Sequence, residues 1–224
     1  MIRRKCDDFF VYIFIYLYIY MSKTRSNKRV KKTMQKSKKS RNTRNYVIFE
    51  KYKKNIFGVD IFIYKLKFNT NYKCGHYLTL KKKTDYIKKS VVKNIHLLDF
   101  LTKNKVFSKK IYKYDKNITE KIISLMNAKE KYTFCLNKNT LVFAETKTIE
   151  NNSLVKEWMT KHIMLCDENA CASGEMIIHN KSFVFNNSSG TFQPSLHDLY
   201  SIKKALPFMD IKITSRESKT FEFF

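Results

Sequence analysis

From Tyr46 onward short apolar runs alternate with polar punctuation, and the runs differ in period. DIFIYKLKF (60–68) sets Phe62, Tyr64, Leu66 and Phe68 on one face at period two, which predicts a strand. DYIKKSVVKNIHLLDFL (85–101) places Ile87, Val91, Ile95 and Leu98 at helical spacing. DKNITEKIISLM (115–126) predicts a short helix with Asn117 or Thr119 near its cap. KYTFCLNKNTLVFA (131–144) predicts a hairpin turning through Asn137, Lys138 and Asn139, and EMIIHNKSFVFN (175–186) repeats the form with a turn at His179, Asn180 and Lys181. Several short strands, two or three helices and no strand–helix–strand rhythm predict an α+β fold of antiparallel hairpins.

The whole chain has four Gly and two Pro, and one Gly and both Pro fall between Gly190 and Pro207. A sequence so poor in chain breakers keeps them where the backbone needs them. Gly190 is expected to adopt a positive φ or to admit a close backbone approach after the second hairpin. Pro194 ends the extended chain. Ser195 with Asp198 three residues on has the form of a capping box. Leu196, Leu199, Tyr200, Ile202 and Leu206 then fall at helical spacing, Pro207 closes that helix, and MDIKIT (209–214) resumes an extended chain.

Upstream of Tyr46 the pattern breaks down, and charge changes the picture. The formal net charge of the 224 residues is +26, which points to an anionic partner such as nucleic acid or a membrane surface. AT-rich coding also enriches Lys, Asn, Ile, Tyr and Phe, but the clustering near the N-terminus is harder to derive from codon drift. Between Met21 and Asn45 lie Lys23, Arg25, Lys28, Arg29, Lys31, Lys32, Lys36, Lys38, Lys39, Arg41 and Arg44, with no acid. Such a segment buries too little apolar surface to fold, so residues 21–45 are expected to be a disordered basic arm. Its physical use is release of counterions from phosphates, without sequence preference; a solvated tail without a partner is the plainer alternative. Ahead of it, FFVYIFIYLYIYM (9–21) is apolar but shorter than the ~20 residues a membrane helix requires. Asp7 and Asp8 interrupt a signal-like basic start, and Met21 is a second plausible initiator. Three segments result: an apolar leader at 1–20, the basic arm at 21–45, and a single α+β domain at 46–224. A membrane partner is expected only if residues 1–20 are expressed.

Hydrophobic residues make up 43% of the chain, with eighteen Phe, which supplies a real core. Five cysteines, Cys6, Cys74, Cys135, Cys166 and Cys171, are odd in number and lack framework spacing. They predict no disulfide scaffold and an intracellular, reducing location, nucleus or virion included.

The stretch KHIMLCDENACASGEMIIHNKSFVFNNSSGTFQPSLHDLYSIKKAL (161–206) resembles the C-terminal module of the plant and fungal IQ-motif calmodulin-binding proteins, with related modules expected in some bacteria and large DNA viruses. His162 stands for the His of that module, Ala172-Ser173-Gly174 for its Ala-Ala-Gly, Ser189-Gly190-Thr191-Phe192 for its Ser-Gly-His-Tyr, and Pro194-Ser195 for its Pro-Thr. Upstream, Lys73-Cys74-Gly75-His76-Tyr77-Leu78 resembles its Arg-Tyr-Gly-His-Asn-Leu, HLLDFL (96–101) its Trp-Leu-Asp segment, and Trp158 the Trp before its His strand. Ile163-Met164 depart from its Ser-Ser, Thr191 from its second His, and Lys73 from its Arg. No IQ motif is present, so calmodulin binding is not implied.

Several chemistries compete for these residues. His162, Cys166, Cys171 and His179 offer zinc-ligand types, but their spacing is not that of structural zinc, so no metal and no cofactor is expected. Cys166 or Ser189 with His162 and Asp167 has the composition of a hydrolase, without a Gly-x-Ser-x-Gly elbow. Glu175 as a late acid has the place an ADP-ribosyltransferase needs, but Lys73 stands where the early Arg belongs. The sequence favours a noncatalytic binding or accessory protein whose arm holds nucleic acid or another polyanion. The alternative is an enzyme with a cleft near the Ser-Gly turn, lined by His76, His162, Glu175, Ser189 and Thr191.

Overall fold

The computed structural model describes residues 46–56, 58–70, 72–79, 96–103, 105–151, 161–166 and 169–222, all within the unit Thr43–Phe224. The leader, the basic arm, Trp158, Asp167 and the helical pattern through Ile87, Val91 and Ile95 lie outside the described residues.

The fold is α+β. Ten strands are described: β1 (Tyr46–Ile56), β2 (Val59–Phe68), β3 (Leu78–Thr79), β4 (Ser108–Lys113), β5 (Tyr132–Asn137), β6 (Thr140–Glu145), β7 (Asn169–Ala170), β8 (Ala172–His179), β9 (Ser182–Asn186) and β10 (Ile211–Ile213). The helices are α1 (Leu97–Lys103), α2 (Ile118–Ile123), α3 (Thr146–Glu150) and α4 (Leu196–Ala205). Eight strands form one sheet in the order β10-β9-β8-β5-β6-β2-β1-β4, and β3 pairs with β7 apart from it. Every neighbouring pair in the large sheet is antiparallel except β10, which runs parallel to β9.

Both predicted hairpins are present. Asn180 and Lys181, with φ of 49° and 60°, join β8 to β9 in the doubly left-handed geometry of the favoured two-residue hairpin turn. Lys138, at φ 49°, turns the chain from β5 to β6. The β5–β6 hairpin is the seam of the sheet, because β5 pairs with β8 on one flank and β6 with β2 on the other.

The alternation in β2 marks a strand buried on both faces, not on one. Tyr64, Leu66 and Phe68 enter a core with Phe134, Phe143, Phe183, Phe185 and the apolar sides of α2 and α4. Ile61 and Ile63 point the other way, into a second core with Val142, Ala144, Leu97 and Leu101 of α1, Ile149 of α3, and Met164, Leu165 and Phe192. In the first core Tyr64 stacks on Phe143 at 5.2 Å, and Tyr132 meets both rings edge-on at 5.7 Å. The Tyr132 hydroxyl also donates to the Asn127 carbonyl and accepts from the Asn127 N–H, each at 2.9 Å, so burying this ring fixes the approach to β5.

Helix α4 is capped as its sequence predicts. The Asp198 N–H donates to Ser195 Oγ at 3.3 Å, and Asp198 Oδ2 accepts from the Ser195 N–H at 2.8 Å. Leu199, Ile202 and Ala205 are its buried side. In α2, Asn117 holds the cap position without a side-chain cap bond, and Asp115 Oδ1 accepts the Asn117 N–H instead. Thr119 lies inside α2, where its Oγ1 accepts from the Asp210 N–H at 2.9 Å and ties the helix to the approach of β10.

The cysteine expectation is corrected for one pair. Cys74 and Cys171, 97 residues apart, form a disulfide with a Cα–Cα distance of 5.7 Å. No local spacing announces it, since the bond joins the chain after β2 to the residue between β7 and β8.

Candidate functional site

The residues that carry the resemblance gather where the segment 161–166 packs against β5 and β8. His162 is buried, and its Nε2–H donates to the Gly174 carbonyl at 3.1 Å. Burial, with the Lys161 ammonium beside it, pushes the imidazole down to about 3, so the ring is neutral and a donor at Nε2. Gly174 has φ 157°, and a Cβ there would fall onto the Asn186 carbonyl and lie 3.2 Å from the Phe134 ring. Only glycine fits between these two strands at this point.

Glu175 follows on the opposite face of β8, and its carboxylate is shared. Lys161 Nζ lies 2.8 Å from Oε1 and Lys131 Nζ 3.6 Å from Oε2. Lys161 also reaches Glu150 at 2.9 Å. Burial works to lower the Lys161 pKa, but the two carboxylates outweigh it and hold the ammonium above its ordinary range. The Glu175 N–H donates to Asn186 Oδ1 at 3.0 Å, and that oxygen accepts the Ser188 N–H at the same distance.

The turn after β9 continues the same packing. Ser189 is buried, and its Oγ accepts from the Phe192 N–H at 3.3 Å while its carbonyl accepts from the Gln193 N–H at 2.8 Å. Asn187 braces the loop, donating through Nδ2 to the Pro194 carbonyl at 3.1 Å and accepting the Arg216 N–H at 2.9 Å. The expectation for Gly190 is corrected here. Gly190 is exposed, a Cβ added to it would meet no heavy atom within 4 Å, and its φ is not positive. Gln193, at φ 46°, takes the left-handed conformation in this loop, and Gly174 is the glycine with no room for a side chain.

The five candidate residues therefore divide. His162 bonds the Gly174 carbonyl next to Glu175, and Asn186 Oδ1 joins the Glu175 N–H to the Ser188 N–H, one residue before Ser189. Thr191 is half-buried in the adjoining turn. His76 is exposed beyond the Cys74–Cys171 bond, and no hydrogen bond or ion pair among the described residues joins it to the other four. Of the four weighed as zinc ligands, Cys171 is disulfide-bonded and His179 sits at the hairpin tip, against the Asn180 amide. Among the described residues no three His, Cys, Asp or Glu side chains gather as a metal site. Cys166 Sγ approaches the backbone carbonyl of His162 at 3.5 Å. Lys161 and Asn186, which bind the cluster together, carry no motif by which the sequence could announce them.

Among the described residues no helix is long and apolar enough to cross a membrane. Comparisons with family models, with curated proteins and with solved structures find no match.

Proposed function

We propose that the protein is a noncatalytic binding protein whose basic segment, residues 21–45, holds nucleic acid or another polyanion and whose α+β body is the scaffold. The observation that carries this reading is the charge pattern: eleven cations without an acid between Met21 and Asn45. The rest of the chain adds to it in the same sense, since residues 46–224 contain 31 Lys and Arg against 17 Asp and Glu. A body of like sign strengthens the field toward a phosphate backbone.

The candidate catalytic groups support the noncatalytic side of the proposal. The His162 proton is committed to Gly174, the Glu175 carboxylate to two ammonium groups, and the Ser189 hydroxyl to its own turn. These are the contacts of a fastening between strands and loop. The alternative, an enzyme of ADP-ribosyltransferase or hydrolase type, would have to break them to free a nucleophile or base. Kinship with the IQ-protein module remains part of the proposal and brings no partner with it. A nuclear or virion location accords with nucleic-acid binding, whereas the Cys74–Cys171 bond favours an oxidising compartment.

Fluorescence anisotropy with a labelled single-stranded DNA oligonucleotide tests the reading. Affinity of the full chain should fall by orders of magnitude between about 50 and 200 mM salt. Replacing Lys31, Lys32, Lys38 and Lys39 together with Gln should weaken binding and flatten the salt dependence by up to about 3 in log–log slope. Equal affinity and equal slope for the two proteins would overturn the assignment to this segment.

A further inference from the structure

Two described cysteines lie outside the Cys74–Cys171 bond. Cys135 sits in β5 on the face opposite Phe134, and Cys166 ends the segment 161–166 that lies across it. Both side chains are buried, and their Sγ atoms are 2.8 Å apart. Both also lie against one oxygen, the His162 carbonyl, at 3.4 and 3.5 Å. Sulfurs in a disulfide are about 2.05 Å apart, so bond formation requires a movement of under about 1 Å.

We propose that Cys135 and Cys166 are a second cross-linking site, oxidised to a disulfide when the chain folds in the presence of a small-molecule or enzyme-borne disulfide. In the first step the thiolate of one cysteine attacks the external disulfide, forms a mixed disulfide and releases one thiolate. The second cysteine, deprotonated, attacks the protein sulfur of that mixed bond and releases the other. Two cysteine thiols lose two protons and two electrons, and the external disulfide is reduced to two thiols.

The timing follows from the surroundings. Burial pushes the Cys135 thiol up and away from the thiolate that exchange needs, so the closed pair is inert. Exchange belongs to the interval before residues 161–166 settle on β5, or to an opening of that segment. Once made, the bond is sheltered from small reductants by the same core. Its effect is specific to one stretch of chain: Cys166 would be tied to β5 just ahead of Cys171, which is tied to Cys74. Four of the five cysteines would then be paired, leaving Cys6. Cross-linking at this pair is independent of nucleic-acid binding.

The test refolds the full chain in a mixture of oxidised and reduced glutathione, blocks free thiols with N-ethylmaleimide under denaturing conditions, and maps peptides before and after reduction. The expected result is a linked peptide pair joining Cys135 to Cys166 beside the pair joining Cys74 to Cys171. Maleimide adducts on both Cys135 and Cys166, or a bond from either to another cysteine, would overturn the proposal. In a Cys6→Ala/Cys74→Ala/Cys171→Ala variant only this pair remains, and reductant present throughout unfolding should lower Tm by roughly 10 °C. An unchanged Tm there counts against it, and the peptide map of the unsubstituted chain decides the matter whether or not that variant folds.

Discussion

His162 stabilises the fold only while its ring is neutral. Its pKa is about 3 in the folded protein against about 6.5 in an unfolded chain, so between those values the unfolded chain binds more protons. The contribution is therefore complete above pH 6.5 and is lost as pH falls toward 3. At pH 5 the loss should be about 2 kcal/mol. Urea unfolding at pH 7 and pH 5 checks this against His162→Gln, which keeps an N–H donor but does not titrate. The variant should lose about 2 kcal/mol less between the two pH values, and equal losses would remove His162 from the account. Glycine gives a second contrast at this scale. Gly174→Ala drives a methyl group into the Asn186 carbonyl of the neighbouring strand and should cost about 3 kcal/mol or more. Gly190→Ala meets open space without a positive φ and should stay within about 0.5 kcal/mol. Thermal melts of the two variants would show the order directly, and a reversed order would mean that the strands part easily at Gly174.

Among elements, α4 depends most visibly on a few residues. Ser195→Ala removes the oxygen that accepts the Asp198 N–H and should cost about 1 kcal/mol, read from the denaturant midpoint. Ser195→Asp, which can still accept that bond, should recover most of the loss; no recovery would show that the hydroxyl acts elsewhere. This helix is legible in the sequence because its signals are local: a cap, a period and a closing proline within a dozen residues. The two hairpins are legible for the same reason, since Asn180-Lys181 and Lys138-Asn139 are turn residues between alternating runs. The edge strand β4 is not. SKKIYK has little apolar pattern, and only its pairing with Tyr46–Lys51 of β1 makes it a strand. The first strand escapes notice too, because Lys51, Lys53 and Lys54 break its alternation. The core-facing residues Val47, Phe49 and Tyr52 show their roles only when partners far along the chain cover them. The site follows the same rule. His162, Glu175 and Ser189 can be singled out as residue types, but the Gly174 carbonyl, Lys161 and Asn186 that occupy them are tertiary neighbours.

At the scale of the molecule the longest covalent closure among the described residues is the Cys74–Cys171 bond, which joins two points 97 residues apart. In the chain-entropy view a loop of that length restricts the unfolded chain by about 4–5 kcal/mol. Replacing both cysteines with Ala should lower the melting temperature by roughly 10–15 °C, and an unchanged value would mean that the bond is not formed in solution. The strand order has a separate consequence for how the chain could be rewired. Tyr46 opens β1 next to one edge of the sheet, and β10 lies at the other edge, six inter-strand spacings away. At about 4.8 Å per spacing that separates the start of the described body from its last strand by roughly 29 Å. A linker joining β10 directly to Tyr46 would need about nine or more extended residues, whereas the residues after β10 already turn back toward the middle of the sheet, where Phe221 packs on Ile177 of β8 and Val184 of β9.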